Sequence, residues 1–185
     1  MKKFNNVFFT TLLFYLLVSN LINNNSCFAQ WVWQNPLPQG EYLYNVSFTN
    51  SGIGSAVGYL GTIIRTTNGG INWSLQSSGT TTNLSGISVP DANTATAVGA
   101  NGTILHTTNA GVNWNLQISG ITTALSSVFF TDANNGTAVG SSGKILHTTN
   151  AGVNWNLQIS GITTALTSVF FTDANNGTAV GSSGK

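Results

Sequence analysis

Apolar and polar residues alternate in short runs along this chain after residue 30, and Gly, Asn, Asp and Ser separate the runs. In one such run, Val128 and Phe130 occupy alternate positions among β-branched and aromatic residues, which predicts a strand with both side chains on one face. Three more short runs follow at 137–140, 144–148 and 154–158. This pattern predicts four antiparallel strands joined by tight turns, without helices.

The four-strand pattern repeats at a fixed period. Segment 104–144 recurs as 145–185 with one difference, Ser126 becoming Thr167, and a looser copy precedes both. Three tryptophans therefore fall 41 residues apart, at Trp73, Trp114 and Trp155. A period of about 40 to 45 residues with four strands is typical of a propeller blade. A β-solenoid is the alternative, but the Gly and Asn pairs within each copy favour local hairpins.

The repeat also predicts the domain organisation. We expect an all-β propeller with repeats at about 42–83, 84–123 and 124–164 and a partial repeat at 165–185. Residues 31–34 resemble a fourth strand without its three predecessors, and we expect them to close the last blade. Closed propellers need about 4 to 8 blades. We therefore expect an incomplete ring, in a fragment of a longer protein.

The N-terminus has the features of an export signal. Lys2 and Lys3 precede an apolar run at 7–18, and a polar stretch then ends at Cys27-Phe28-Ala29. Small residues at both recognition positions predict cleavage after Ala29, so that residues 1–29 form a signal peptide. The apolar run has 12 residues, whereas spanning a bilayer takes about 20. We expect a secreted or cell-surface protein with no transmembrane segment after signal removal.

Charge and cysteine content argue against several kinds of site and partner. Removal of residues 1–29 takes away the only cysteine, so neither a disulfide nor a catalytic thiolate is expected. Three cations and four carboxylates remain, which leaves one net negative charge: Arg65, Lys144 and Lys185 against Glu41, Asp91, Asp132 and Asp173. Binding a phosphate backbone requires clustered Lys and Arg. We therefore expect neither a nucleic-acid partner nor a cofactor.

The turn between the third and fourth strands is the most specific motif. Residues 66–73 read TTNGGINW and return as TTNAGVNW at 107–114 and 148–155. The Thr hydroxyl and the Asn side chain can bond turn backbone groups, Gly can adopt the left-handed conformation, and Trp can pack beneath the turn. The predicted turn residues are Thr66, Asn68, Gly70, Trp73, Thr107, Asn109, Gly111, Trp114, Thr148, Asn150, Gly152 and Trp155.

This motif resembles the Asp-box, or bacterial neuraminidase repeat, with Asn at the position of the Asp. Together with the flanking Ala-Val-Gly and Trp-x-Leu-Gln segments, the copies are similar to the photosystem II assembly and stability factor-like repeat family over residues 31–185. The resemblance implies a propeller. Family members related to photosynthesis assist the assembly of a membrane complex and catalyse no reaction, so the resemblance also implies a non-catalytic protein. The same repeat occurs in exported proteins of non-photosynthetic bacteria.

Arg65, His106 and His147 occupy the same position in successive repeats. A metal site needs ligands that converge, whereas equivalent positions of adjacent blades diverge around a ring, and no metal is expected. We interpret the three residues as partly exposed polar groups near strand ends. If a surface of this chain binds a ligand, this row is the candidate.

A sialidase-like enzyme needs an arginine cluster, a nucleophile and an acid. The chain has one arginine, Arg65, and one glutamate, Glu41, so no catalytic residue is predicted. We expect an exported, non-catalytic propeller module that binds or scaffolds a protein or a cell-surface component. The alternatives are an assembly factor for a membrane complex, as in photosystem II assembly, and a fragment of a sialidase-like glycosidase.

Overall fold

The computed structural model describes residues 40–183, which contain fourteen strands in four sheets. Three short 3-10 helices, which the sequence did not predict, follow the second strands of the first three sheets, at Tyr59–Gly61, Ala100–Gly102 and Ser141–Gly143. The first sheet contains β1 (Leu43–Phe48), β2 (Gly54–Gly58), β3 (Ile63–Thr66) and β4 (Ser74–Gln76). The second contains β5 (Leu84–Ser88), β6 (Ala95–Gly99), β7 (Ile104–Thr107) and β8 (Asn115–Gln117). The third contains β9 (Leu125–Phe130), β10 (Gly136–Gly140), β11 (Ile145–Thr148) and β12 (Asn156–Gln158). The fourth contains β13 (Leu166–Phe171) and β14 (Gly177–Gly181).

Within each sheet, every strand pairs antiparallel with the strands that precede and follow it in sequence, so each sheet is a meander. Within residues 40–183 no strand pairs with a strand of another sheet, and the solenoid alternative is wrong. The first strands β1, β5, β9 and β13 pack successively against one another, as around the axis of a propeller. The all-β propeller prediction is confirmed. The predicted signal peptide and the predicted closing strand 31–34 lie outside the described residues.

The hydrophobic core lies between the sheets, because both faces of each sheet carry apolar side chains. In the first core cluster, Val57 and Ile63 of the first sheet pack with Leu84 and Ile87 of the second. We call the face that carries Leu84 and Ile87 the leading face of its sheet, and the face that carries Val57 and Ile63 the trailing face. The second and third clusters join the later sheets in the same way.

Small residues in the second strand of each sheet permit a close approach of the first strand. A Cβ atom built on Gly99 would lie 2.0 Å from the carbonyl oxygen of Asn83. The pairing of β5 with β6 is irregular between Leu84 and Gly86, and this bulge brings the Asn83 carbonyl toward Gly99. Gly99 has an extended backbone with φ −166°. Its requirement for glycine is therefore steric and does not come from its backbone conformation.

We expect Gly99→Ala to lower the free energy of unfolding by about 1 to 3 kcal/mol, because the new methyl group must displace backbone. Gly52→Ala is the matched control, since its Cβ would meet nothing closer than 3.5 Å. Urea unfolding of the two variants should separate them. Equal stability of Gly99→Ala and the wild type would contradict the steric argument.

Candidate functional site

The three TTN turns share one hydrogen-bond pattern. The Thr66 hydroxyl accepts a bond from the Gly70 amide at 2.9 Å and donates to Asn68 Oδ1 at 3.0 Å. Asn68 Oδ1 also accepts a bond from the amide of Asn72 at 2.9 Å. The turns that begin at Thr107 and Thr148 repeat all three bonds. The Asn side chain thus acts as an acceptor within the turn, with no charge needed.

Two successive residues of each turn have positive φ, as in a type I′ turn. In the first turn these are Gly69 and Gly70, with φ of 69° and 87°. In the later turns Ala110 and Ala151 take the first of the two positions, with φ of 58° and 57°. The sequence interpretation assigned the left-handed conformation to the glycines alone. The glycine at position 69 of the first copy was the one sequence signal that Ala110 and Ala151, at the same position of the later copies, also adopt the left-handed conformation.

The tryptophans anchor the turns to the core. Trp155 is buried and makes an edge-on contact with Phe130, with ring centroids 6.0 Å apart. Trp114 Nε1 donates to Gln76 Oε1 of the first sheet, and Gln76 Nε2 donates to the carbonyl oxygen of Ala110. Gln76 therefore links the first sheet to the turn of the second sheet. Sequence reasoning missed this residue, because its partners lie more than 30 positions away.

The structure does not bring Arg65, His106 and His147 together. All three lie on trailing faces, on β3, β7 and β11, and each one points into a different interface between sheets. The buried Arg65 guanidinium donates to the carbonyl oxygen of Ala92, in the turn between β5 and β6 of the second sheet. Burial lowers the pKa of Arg65. The expected partial exposure is wrong for Arg65 and for the equally buried His106.

His106 fills the next interface. Its ring stacks on Phe130 of the third sheet with centroids 6.5 Å apart, and its Nδ1 bonds to the Thr96 hydroxyl at 2.9 Å. Its Nε2 is buried and has no hydrogen-bond partner. Burial lowers the pKa of His106, and the negative charge of Asp91 opposes this shift. The neutral imidazole is therefore favoured in the folded protein.

His147 lines a cleft between the third and fourth sheets. The cleft has a volume of about 270 Å³, and its wall combines Phe129 and Phe171 with hydroxyl, amide and imidazole groups. The centroids of these two phenylalanine rings lie 6.1 Å apart. His147 is half-buried, and its Nδ1 bonds to the Thr137 hydroxyl at 3.1 Å. Among the three row residues, His147 alone remains accessible beside an open cleft.

Three of the described carboxylates are engaged in turns that join first and second strands. Asp132 Oδ1 accepts bonds from the amides of Asn134 and Asn135 at 2.7 and 2.9 Å, and Asp91 and Asp173 repeat this arrangement. The Asn135 side chain, followed by the two amides, lowers the pKa of Asp132. For Asp91, burial acts to raise the pKa, but the bonds from Asn93 and Thr94 outweigh it. These groups stay ionised at neutral pH, whereas a general acid needs a raised pKa.

Within residues 40–183, no three His, Cys, Asp or Glu side chains cluster in a way that could hold a metal ion. The same residues include no helix with the length and apolar character needed to cross a membrane.

Comparison with known protein families identifies the family of this chain. The model of the family described as photosynthesis system II assembly factor YCF48 matches residues 24–185. The chain belongs to this family. A search of curated proteins finds no significant match.

Solved structures support the fold. YCF48 from Cyanidioschyzon merolae is 24% identical with a TM-score of 0.65, over 80% of this chain and 52% of that one. A structure of YCF48 bound to D1 peptide is 22% identical with a TM-score of 0.59, over 67% and 43% of the two chains. The GH74 enzyme of Niastella koreensis is 18% identical with a TM-score of 0.59, over 74% and 25%. This chain thus spans about half the length of the YCF48 proteins that it matches.

We expect Thr107→Val to destabilise the protein by about 1 to 3 kcal/mol, because it leaves the buried Gly111 amide without its acceptor at nearly unchanged volume. Thr122→Val on an exposed loop is the matched control and should change the unfolding free energy by less than about 0.5 kcal/mol. Thermal and urea unfolding measure both. Equal effects of the two substitutions would refute the role of the hydroxyl.

The buried His106 predicts a loss of stability on acidification. Its folded-state pKa is lowered, so the unfolded chain binds more protons near and below the ordinary pKa of 6.5, and stability falls as the pH drops through that range. The urea midpoint of the wild type should decrease between pH 7.5 and 5.0. His106→Gln should reduce this decrease, whereas His147→Gln should retain the part due to His106. An unchanged pH dependence in His106→Gln would contradict the assignment.

Proposed function

We propose that this chain is a non-catalytic, protein-binding propeller of the assembly-factor type, which holds a segment of a client protein. The family match over residues 24–185 is the observation that carries this proposal. A relative in the same family, YCF48, has been solved bound to a D1 peptide, which supports a peptide segment as the ligand class. Family membership thus favours the assembly-factor interpretation over a general surface module.

The cleft beside His147 is the best candidate for the peptide site. The two phenylalanine rings provide an apolar floor, and Thr137, His147 and Asn175 supply hydrogen-bonding groups around it. A small apolar cleft with a few polar groups suits one side chain and the adjoining backbone of an extended peptide. Since no Lys, Arg, Asp or Glu side chain lines the cleft, we infer a segment without charged side chains as the ligand.

The equivalent positions at the other interfaces support this choice. Arg65 is committed to the carbonyl oxygen of Ala92, and His106 is packed on Phe130, so neither side chain is available to a ligand. His147 has the same local sequence as His106 but retains accessible surface. The proposed site therefore takes up one member of the predicted row, and the other two members stabilise the interfaces between sheets.

The state of the aspartate carboxylates supports a non-enzymatic role. Asp91, Asp132 and Asp173 serve their own turns and have lowered pKa values, which leaves them unsuited to protonate a leaving group. Similarity to the GH74 enzyme extends to the fold alone, and function depends on the site rather than the fold. We therefore do not favour the glycosidase alternative.

Peptide binding can be measured by fluorescence polarisation with the labelled D1 peptide and with peptides selected from a random phage library. We expect saturable binding that His147→Ala and Thr137→Val each weaken at least about tenfold, or about 1.4 kcal/mol. Leu116→Ala, on the exposed outer strand β8, is the control and should bind as the wild type does. Failure of the chain to select any peptide would refute the proposal. Binding that is insensitive to both cleft variants would refute the site.

We also propose that the protein is exported, on the basis of the signal-like segment 1–29. Its client would then be a membrane or cell-surface protein on the outer side of the cytoplasmic membrane. Fractionation of the source cells tests this proposal. A mature N-terminus at Gln30 and co-purification with a membrane partner would support an exported assembly factor, and free release into the medium would favour a surface module instead. An intact N-terminus in the cytoplasm would refute export.

A further inference from the structure

A groove lies beside the outer strand of the second sheet, at the end of the sheet opposite to its TTN turn. Its wall combines β8 with the 3-10 helix Ala100–Gly102 and the loop 118–123, and Lys144, which directly precedes β11 of the third sheet, also lines it. The groove has a volume of about 560 Å³. The second and third sheets are complete meanders with a packed neighbour on either side, so the groove is an internal feature of the chain.

The first sheet has a groove at the equivalent place, which serves as an internal comparison. Its volume is about 660 Å³, and the corresponding residues 60–62 and 75–81 form its wall. None of those residues is charged. The Gln76 amide in that wall is engaged with Trp114 and with the carbonyl oxygen of Ala110. The groove of the first sheet thus offers a similar shape without a charge or a free amide.

Gln117 takes the place of Gln76 in the groove of the second sheet, but its amide is not engaged. The counterpart of Trp114 is Trp155, whose buried Nε1 has no hydrogen-bond partner. Among residues 40–183 the side chain of Gln117 has no hydrogen-bond partner either, and it lies half-buried in the groove wall. Gln117 can therefore donate its amide hydrogens to a ligand in the groove.

Lys144 supplies a positive charge to the same groove. It occupies the position that Thr62 and Thr103 hold in the earlier repeats. Over the described range 40–183 it forms no ion pair, and the other cation of that range, Arg65, is buried. Asp132, the carboxylate of the third sheet, lies in the turn before β10, whereas Lys144 lies beyond the other end of β10. The Lys144 ammonium is thus available to an external anion.

Two smaller polar side chains complete the set of free hydrogen-bonding groups. Asn101 and Thr122 are exposed and line the groove, and neither side chain is hydrogen-bonded within residues 40–183. The wall includes no Asp or Glu, and Ile118 and Ile121 add apolar surface. One cation beside neutral donors favours a ligand with a single negative charge, and charged N–H groups bind carboxylates through strong hydrogen bonds. A phosphate dianion would lack a second cation.

We propose that the groove of the second sheet binds a carboxylate group attached to a short aliphatic chain. The carboxylate lies against Lys144 and Gln117, and the aliphatic chain lies along Ile118 and Ile121. This site is separate from the cleft at His147, which opens toward the fourth sheet at the other end of β11. A free carboxylic acid and the acidic side chain of a bound protein both present this chemistry.

Ligand-observed NMR of the purified full chain with sodium hexanoate tests the role of the charge. We expect saturable binding that Lys144→Met weakens at least about tenfold and that Lys144→Arg largely retains. Hexanamide, which has the same length without the charge, should bind at least about tenfold more weakly than hexanoate. Leu157→Ala is the control, because Leu157 is 53% exposed on β12 and does not line the groove. It should bind hexanoate as the wild type does.

Three results would overturn the proposal: no hexanoate binding by the wild type, equal binding of hexanamide, or full affinity in Lys144→Met. Circular dichroism and the urea midpoint check that every variant is folded. A further variant, Gln117→Leu, tests the groove apart from the charge. It should weaken hexanoate binding about three- to tenfold, as expected for the loss of one hydrogen bond. An unchanged affinity would contradict the site, since the Lys144 charge would then attract anions without the groove.

Two capped pentapeptides distinguish the two sources of the carboxylate. One has a central glutamate among alanines, and the other has glutamine in its place. Tighter binding of the glutamate peptide than of hexanoate would support the site and identify an acidic protein side chain as its occupant. Weaker binding of this peptide would support the site for a free carboxylic acid. Equal saturable binding of the two peptides would contradict recognition of a carboxylate.

Discussion

Burial of each leading face under the preceding trailing face is the interaction on which this structure depends. The sheets have apolar residues on both sides, and Val98, Ile104 and Leu125 become fully buried only because two sheets meet. At about 25 cal/mol per Å² of apolar surface, these contacts are the main favourable term in a chain with few charges and no disulfide among its described residues. A single sheet of this kind has no core of its own, and its stability comes from its neighbours.

The TTN turn serves this packing by satisfying its own polar groups. A turn that lies against a core must find partners for its amides, since a buried unpaired amide costs about 1 to 3 kcal/mol. The Thr148 hydroxyl accepts a hydrogen bond from the Gly152 amide, and the Asn150 side chain accepts one from the Asn154 amide. Trp155 can therefore enter the core directly after the turn. The sequence motif therefore encodes a local hydrogen-bond network whose consequence is tertiary, namely the burial of an indole between two sheets.

Strands and turns were predictable because their causes are local. The alternation of Val128 and Phe130 predicted β9, and both side chains enter the same core cluster. The fourth strand was predicted to begin at Asn154, but β12 begins at Asn156. The reason is that the amide of Asn154 is held by Asn150 and Trp155 packs into the core, so neither residue belongs to the ladder. Hairpin positions follow from turn chemistry, whereas the ends of strands depend on tertiary contacts.

The roles of the row residues could not be predicted, because the same local sequence meets different neighbours. Residues 104–107 and 145–148 both read ILHT, yet His106 is sealed under Phe130 and His147 borders a cleft. Arg65 was the least predictable of the three, since its acceptor at Ala92 lies in a turn beside another sheet and is a backbone group that no side-chain pattern reveals. Repetition thus fixes where a side chain points, and the next sheet determines what it does. In a protein of this design, binding sites are expected where an interface is incompletely filled, rather than within the repeated motif itself.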